Sequence, residues 1–291
     1  MRPVMKAICL LALALPLAAC TPEKAEALVA AVKAFEAKSN EALDAYEALF
    51  QDYGEIRNES QDVLFQQAYA AVAQRGAGSP SFSDAVQMVG TLKSTRQNTT
   101  IENEFREIRT AYMLLGSAYD SLPQGSALGA RHVSCGRSAV AKLTLQLVNF
   151  ASDVDQDPLY PTALRETFAE FKKVAAKGDQ SLAQRQFDRF YTGVAGYEAR
   201  HAEALRLTLA AVEQGRKLDG LLARYDDVTL SGLLGAIQYG FTFAGTLKGV
   251  DPATASSRLQ ATKAELDASP YWQRVEAVPL ASIAECATTE R

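Results

Sequence analysis

Apolar side chains recur every three or four residues along most of this chain, and this spacing constrains its fold more than any other feature of the sequence. An α-helix has 3.6 residues per turn, so the spacing places one apolar face along a helix. The pattern begins after Pro22 and continues to about Arg75, which predicts one long helix or two in succession. The members of this first stripe are Leu28, Val32, Phe35, Leu43, Tyr46, Leu49, Phe50, Tyr53, Ile56, Val63, Leu64, Ala68, Ala71 and Val72.

Helix-capping residues and breaks rich in glycine and proline divide the rest of the chain into shorter helices. Thr99 and Glu102 have the spacing of a capping box. Gly178 is a good C-cap residue, and Asp251 before Pro252 marks a further helix start. The helices predicted after the first one cover about 83–94, 99–122, 127–152, 162–177, 179–222, 228–247 and 251–268, with a short one from 269.

These segments predict an all-α fold, an antiparallel bundle of seven to nine helices. Residues with high helix propensity dominate, and long runs of β-branched residues are rare. Because the connections are short, neighbouring helices are expected to run antiparallel. With 48% apolar residues the chain is able to bury a substantial core. We expect a single bundle domain over residues 20–291, and a division into sub-bundles at about 20–152 and 162–291 is left open.

The first twenty residues have the layout of a secretory signal peptide. Arg2 and Lys6 form a short basic region, and an uncharged apolar run over residues 7–19 follows it. The run ends in Leu17-Ala18-Ala19-Cys20, an aliphatic residue and two small residues before a cysteine. This pattern resembles the bacterial lipoprotein class, although the resemblance covers residues 1–21 alone.

The resemblance implies that residues 1–19 are removed and that Cys20 carries the lipid. Thr21 rather than Asp follows the cysteine, which in this class favours the periplasmic face of the outer membrane. Pro22 and Glu23 are suited to the first turn of a helix, so we expect the bundle to begin almost at the lipid. The protein is therefore expected to stay close to its membrane.

Two cysteines other than Cys20 remain after this processing. Cys135 and Cys286 form an even pair in an oxidising compartment, which predicts a disulfide between them. Two buried free thiols are the alternative. The chain has no Cys-x-x-Cys motif, so nothing in the sequence favours a thioredoxin-like redox role.

The charge balance bears on the partners of the protein. Removal of residues 1–19, which contain Arg2 and Lys6 and no acid, reduces the basic side chains from 30 to 28 against 34 acidic ones. No basic patch is present, so a nucleic-acid partner is not expected. The expected partners are the membrane, through the lipid, and a protein or other component of the envelope.

Two carboxylate-containing motifs have spacings that are found in metal sites. Glu198 and His201 have the spacing of one half of a di-iron site, but no second Glu-x-x-His pair exists in the chain. Asp153, Asp155 and Asp157 begin like a calcium loop, but the next position is proline and no glutamate occupies the twelfth. We therefore predict no metal and no cofactor at either motif, and solvated polar segments in both places.

The residues between Asp227 and Lys248 carry no charge, which is unusual in this chain. Gly232, Ala236, Gly240 and Ala244 recur there at a spacing of four, which predicts a ridge of small residues that lets another backbone approach closely. Three interpretations of residues 228–247 remain open. They are a central helix buried on all sides, a wall of a partner or lipid groove, and a segment that inserts into a membrane.

The sequence contains no motif of a known class of catalytic site. It has no nucleophile elbow, no zinc-protease motif and no phosphate-binding glycine loop. We therefore expect a non-catalytic, lipid-anchored module that binds a protein or an envelope component, and an enzyme is the less favoured class. The alternative is a hydrophobic-ligand carrier or membrane-active protein that uses Val228 to Leu247.

Overall fold

A computed structural model describes residues 22–75, 99–120, 130–156 and 180–280, and these ranges contain seven α-helices and no strand. The all-α prediction is therefore confirmed. The predicted helices at 83–94 and 162–177 lie outside the described residues, as do the signal peptide and Cys20. The helices are α1 Pro22–Arg75, α2 Thr99–Asp120, α3 Ala130–Gln156, α4 Gln180–Leu222, α5 Leu230–Thr246, α6 Pro252–Asp267 and α7 Pro270–Glu276.

The first stripe forms one continuous helix rather than two. Helix α1 has 54 residues and is therefore about 80 Å long at 1.5 Å per residue. It contains no proline after Pro22, and Gly54 is accommodated without a break in the helix. Glycine weakens a helix without removing a backbone hydrogen bond, whereas an internal proline removes one.

Helices α1 to α4 form an antiparallel square in which each packs against the next and α4 packs against α1. The ring contacts between α1 and α2 show the opposed directions, because Phe50 meets Phe105 at 5.8 Å while Phe35 meets Tyr112 at 5.6 Å. Helix α5 packs on the α1–α4 edge of the square, and α6 packs on α3 and α4. Helix α7 covers α3 and α6.

One hydrophobic core runs through the described part of the bundle. At its centre, rings from three helices meet: Phe150 of α3 lies 5.0 Å from Tyr46 and 5.9 Å from Phe105. The buried apolar cluster extends from Ala25 in α1 to Val275 in α7. Residues from both predicted sub-bundles therefore contribute to the same core.

Three cationic side chains, the buried Lys24 and Lys142 and the half-buried Arg206, bind backbone carbonyls near the C-terminal ends of other helices. Lys142 Nζ donates to the carbonyl of Glu276, the last residue of α7, at 2.6 Å. Arg206 donates to the carbonyl of Ala244 in the last turn of α5 at 2.9 Å. The last carbonyls of a helix lack intrahelical partners and carry partial negative charge, so they can satisfy a desolvated cation. Burial lowers the pKa of Lys142, and the negative charge of Glu276 opposes this shift.

The third cation, Lys24, lies in the first turn of α1. Its buried Nζ donates to the carbonyl of Asp226 at 3.1 Å and lies 4.6 Å from the centre of the Tyr225 ring. Asp226 belongs to the turn at 223–227, which joins the end of α4 to the start of α5. We call this part of the molecule, formed by the start of α1, the turn and the start of α5, the Lys24 end.

Candidate functional site

The uncharged segment forms α5, and its ends follow from the residues around it. The side chain of Thr229 caps the helix by accepting a hydrogen bond from the backbone N–H of Gly232 at 3.2 Å. The helix ends after Thr246, before the turn at Gly249, whose positive φ of 81° suits a residue without a Cβ. The predicted boundaries of 228–247 are thus close to those observed.

All four residues of the small-residue ridge lie against α4. Ala236 and Ala244 are buried, Gly240 is buried and Gly232 is half-buried. A Cβ at Gly232 would lie 3.9 Å from the side chain of Leu221 in α4. The small residues therefore allow α4 and α5 to pack closely.

Gln214 of α4 occupies the space that the ridge leaves. Its side chain is 1% exposed, and its Nε2 donates to the carbonyl of Ala236 at 3.3 Å. A Cβ at Gly240 would lie 3.2 Å from the Cβ of Gln214 and would overlap its amide group. The absence of a side chain at Gly240 thus accommodates a polar group of the neighbouring helix.

We expect Gly240→Ala to lower the free energy of unfolding by about 1–3 kcal/mol, because the new methyl group overpacks the site against Gln214. Gly235→Ala in the same helix is the matched control, since no atom lies within 4 Å of its added Cβ. The control is expected to stabilise the protein by about 0.5–1 kcal/mol through helix propensity. Urea unfolding measures both, and equal effects of the two variants would contradict the close packing of the ridge.

The other side of α5 is exposed, so the interpretation as a helix buried on all sides is wrong. Leu230 and Leu234 are 42% and 48% exposed, and Gln238 and Thr242 continue the same row. Helix α5 packs against α1 and α4 at the edge of the square. These two helices cover one side of α5 and leave the opposite side exposed. In the ranges that the structure describes, no helix combines the length and the apolar character needed to cross a membrane.

A second polar arrangement joins α3, α4 and α6 around the carboxylate of Asp155. Ser256 donates to its Oδ2 at 2.6 Å, and Gln260 donates to the same atom at 3.2 Å. His201 Nε2 lies 3.5 Å from Oδ1, with only 12% of the His201 side chain and 8% of the Asp155 side chain exposed. Gln260 also accepts a hydrogen bond from Ser152 at 3.0 Å. We call these residues the Asp155 cluster.

The Asp155 cluster contains the residue types of a serine hydrolase but not their order of contacts. In a Ser–His–Asp triad the serine hydroxyl bonds to the histidine, which removes its proton. Here the hydroxyl of Ser256 donates directly to Asp155, so His201 is not placed between them. The geometry connects three helices and does not create an activated nucleophile.

The structure corrects the sequence interpretation of this region. The sequence predicts a loop from Asp153 onward, but α3 continues to Gln156. Val154 is fully buried and extends the apolar stripe of α3 by one turn, which explains the longer helix. The proximity of Asp155 and His201 is not predictable from the sequence, because nothing in their spacing indicates it.

The remaining candidate residues are placed as follows. Glu198 is exposed, unlike His201 three residues later. Within the described ranges, no three or more His, Cys, Asp or Glu side chains are grouped so that they could hold a metal ion.

Cys135 lies half-buried in α3, while Cys20 and Cys286 fall outside the described residues, so the lipidation and the disulfide stay predictions.

Comparison with known proteins identifies no relative of this chain. No family model, no curated protein and no solved structure matches the chain. A functional proposal therefore depends on the contacts of this chain's own residues.

Proposed function

We propose that the protein is a lipid-anchored helical module at the periplasmic face of the bacterial outer membrane, where it binds another protein or an envelope component without catalysis. The observation that carries the proposal is the packing of α1 from its first turn. Ala25 and Leu28 are already buried, and Lys24 binds the turn at 223–227. A lipid on Cys20 would be only two residues from Pro22, the first residue of α1.

This arrangement favours a module with little freedom relative to its membrane. A flexible linker would let a domain move away from its lipid, whereas two residues extend by less than about 8 Å. Helix α1 then spans about 80 Å from the anchored end to Arg75. An anchored helix of this length supports a role in presenting an extended surface to a partner close to the bilayer.

The carboxylate clusters around Asp155 and Asp219 have a structural arrangement rather than a catalytic one. The Asp155 carboxylate is occupied by hydrogen bonds from Ser256 and Gln260. Asp219 is held in the same way, because Arg137 and Tyr271 both donate to its Oδ1, at 3.1 and 2.5 Å. Carboxylates held by several donors from different helices connect those helices.

A second candidate is a membrane-active protein or hydrophobic-ligand carrier that uses Val228 to Leu247. The exposure of Leu230 and Leu234 favours it. The ridge side of α5, however, is filled by α4, with Gln214 against Gly240. A carrier would have to separate these two helices to admit a ligand there.

Cells that express the full chain and are fed an alkyne-tagged fatty acid test the anchor. We expect the wild type and Cys9→Ala to carry the tag and to fractionate with the outer membrane. Cys20→Ala is expected to lose the tag and to leave the outer-membrane fraction, because Cys20 is the proposed site of acylation. A Cys20→Ala protein that keeps the tag would contradict the proposal.

The same cells test binding when a photo-crosslinking residue replaces an exposed side chain on each of three helices. Suitable sites are Met113 in α2, Thr242 in α5 and Arg258 in α6. One face is expected to crosslink reproducibly to one envelope component, and the other faces are the controls. Absence of any crosslink from all three faces, together with measured turnover of a substrate by the purified protein, would contradict a binding role.

A further inference from the structure

With Cys20 lipidated as proposed above, we infer that the exposed side of α5 rests on the same membrane, with Leu230 and Leu234 in the bilayer interface. The surface consists of Leu230, Leu234, Gln238 and Thr242. The occupant is the lipid surface itself, and this contact would set the orientation of the bundle.

The first step concerns position. Consecutive Cα atoms are 3.8 Å apart, so the Cα of Cys20 lies within about 15 Å of the Cα of Lys24. Lys24 binds the carbonyl of Asp226, and α5 begins four residues later at Leu230. The lipid is therefore attached beside the start of α5, at the Lys24 end.

The second step concerns the chemistry of the surface. Leu230 and Leu234 are one helical turn apart and are both nearly half exposed. Gln238 and Thr242 continue their row, and no charged residue lies between Asp227 and Lys248. Burying charge in lipid is costly, whereas burying exposed leucine is favourable. An uncharged face with apolar residues nearest the anchor is suited to the bilayer interface.

The third step compares this face with the other exposed apolar site in the described residues. Met113 and Leu114 in α2 are 59% and 38% exposed, so this pair is comparable with the two leucines of α5. The charged residues Arg106 and Glu107 lie about two turns away from Met113 on the same helix, whereas the exposed Asp226 and Asp227 lie within four residues of Leu230. Helix α2 also lies across the four-helix square from the α1–α4 edge that carries α5. Exposure and neighbouring charge therefore do not distinguish the α5 surface, but its position beside the proposed anchor does.

Tryptophan quenching by brominated lipid tests the inference on the acylated full chain. The probe is vesicles of dibrominated phosphatidylcholine, compared with vesicles of unbrominated phosphatidylcholine. The protein has a single tryptophan, Trp272, which is buried in α7 and provides the baseline. We expect Leu234→Trp to lose emission on the brominated vesicles beyond the wild-type loss. The matched control, Met113→Trp, is expected to behave like the wild type.

Flotation of the vesicles separates the outcomes. Protein that floats but shows no extra quenching in Leu234→Trp, or equal quenching in Met113→Trp, would overturn the α5 contact and leave the lipid anchor standing. Acylated protein that does not float would overturn both. If the thermal unfolding of Leu234→Trp shows that this variant is not folded, Leu230→Trp replaces it, with the same expected result.

Discussion

Replacing Phe150 by Ala is expected to lower the free energy of unfolding by about 3–5 kcal/mol. Phe150 is fully buried and contacts two rings of α1 edge-to-face, at centroid distances of 5.0 Å for Tyr46 and 6.4 Å for Phe50. Truncation removes these edge-to-face contacts and leaves a cavity where α1, α2 and α3 meet. A loss of this size is a large part of the 5–15 kcal/mol that stabilises an ordinary protein.

Urea unfolding followed by circular dichroism measures the effect. Met113→Ala is the control, since it truncates an exposed side chain and should change the stability by no more than about 0.5 kcal/mol. A similar small loss for Phe150→Ala would show that the ring cluster is not the centre of the core.

The second large effect is expected for Asp155→Ala, with a loss of about 1–3 kcal/mol. The substitution removes the carboxylate that accepts hydrogen bonds from Ser256 and Gln260 and lies 3.5 Å from His201 Nε2, so these half-buried groups lose that acceptor. Each polar group left unsatisfied in the interior contributes a desolvation cost. Because the Asp155 cluster connects α3, α4 and α6, the loss should be seen in global unfolding.

Asp267→Ala is the matched control for this change. Asp267 forms a surface ion pair with Lys263 at 2.6 Å, and exposed pairs of this kind contribute about 0.3–0.5 kcal/mol. Equal losses for the two variants in urea unfolding would contradict a structural role of the Asp155 cluster. Asp155→Asn retains an acceptor for Ser256 and should lose less than Asp155→Ala.

Several helix boundaries were predictable because the signals are local. The end of α1 at Arg75 and the ends of α4 at Gln180 and Leu222 agree with the apolar spacing and the breaks beside it. Asp251 caps α6 as predicted, with its carboxylate accepting from the backbone N–H of Thr254 at 3.0 Å. Capping and periodicity involve residues within a few positions of each other, so the sequence displays them directly.

The errors have a different origin. The end of α3 was placed at residue 152, because the polar residues after it resemble a loop, but burial of Val154 extends the helix to Gln156. The uncharged composition of α5 is compatible with burial on all sides, with a groove wall and with membrane insertion, so it does not predict which side of the helix is covered. Both errors concern which surface of a segment another helix covers.

The sequence by itself determined that the chain is helical, where many of its helices begin and end, and which of their faces are apolar. Only the tertiary structure decided that Gln214 lies against Gly240, that Asp155 meets His201, and that Lys24 binds the turn after α4. The physical reason is the distance along the chain between the residues that interact. Helix signals arise between near neighbours, whereas each of these contacts joins distant residues and depends on how whole helices pack.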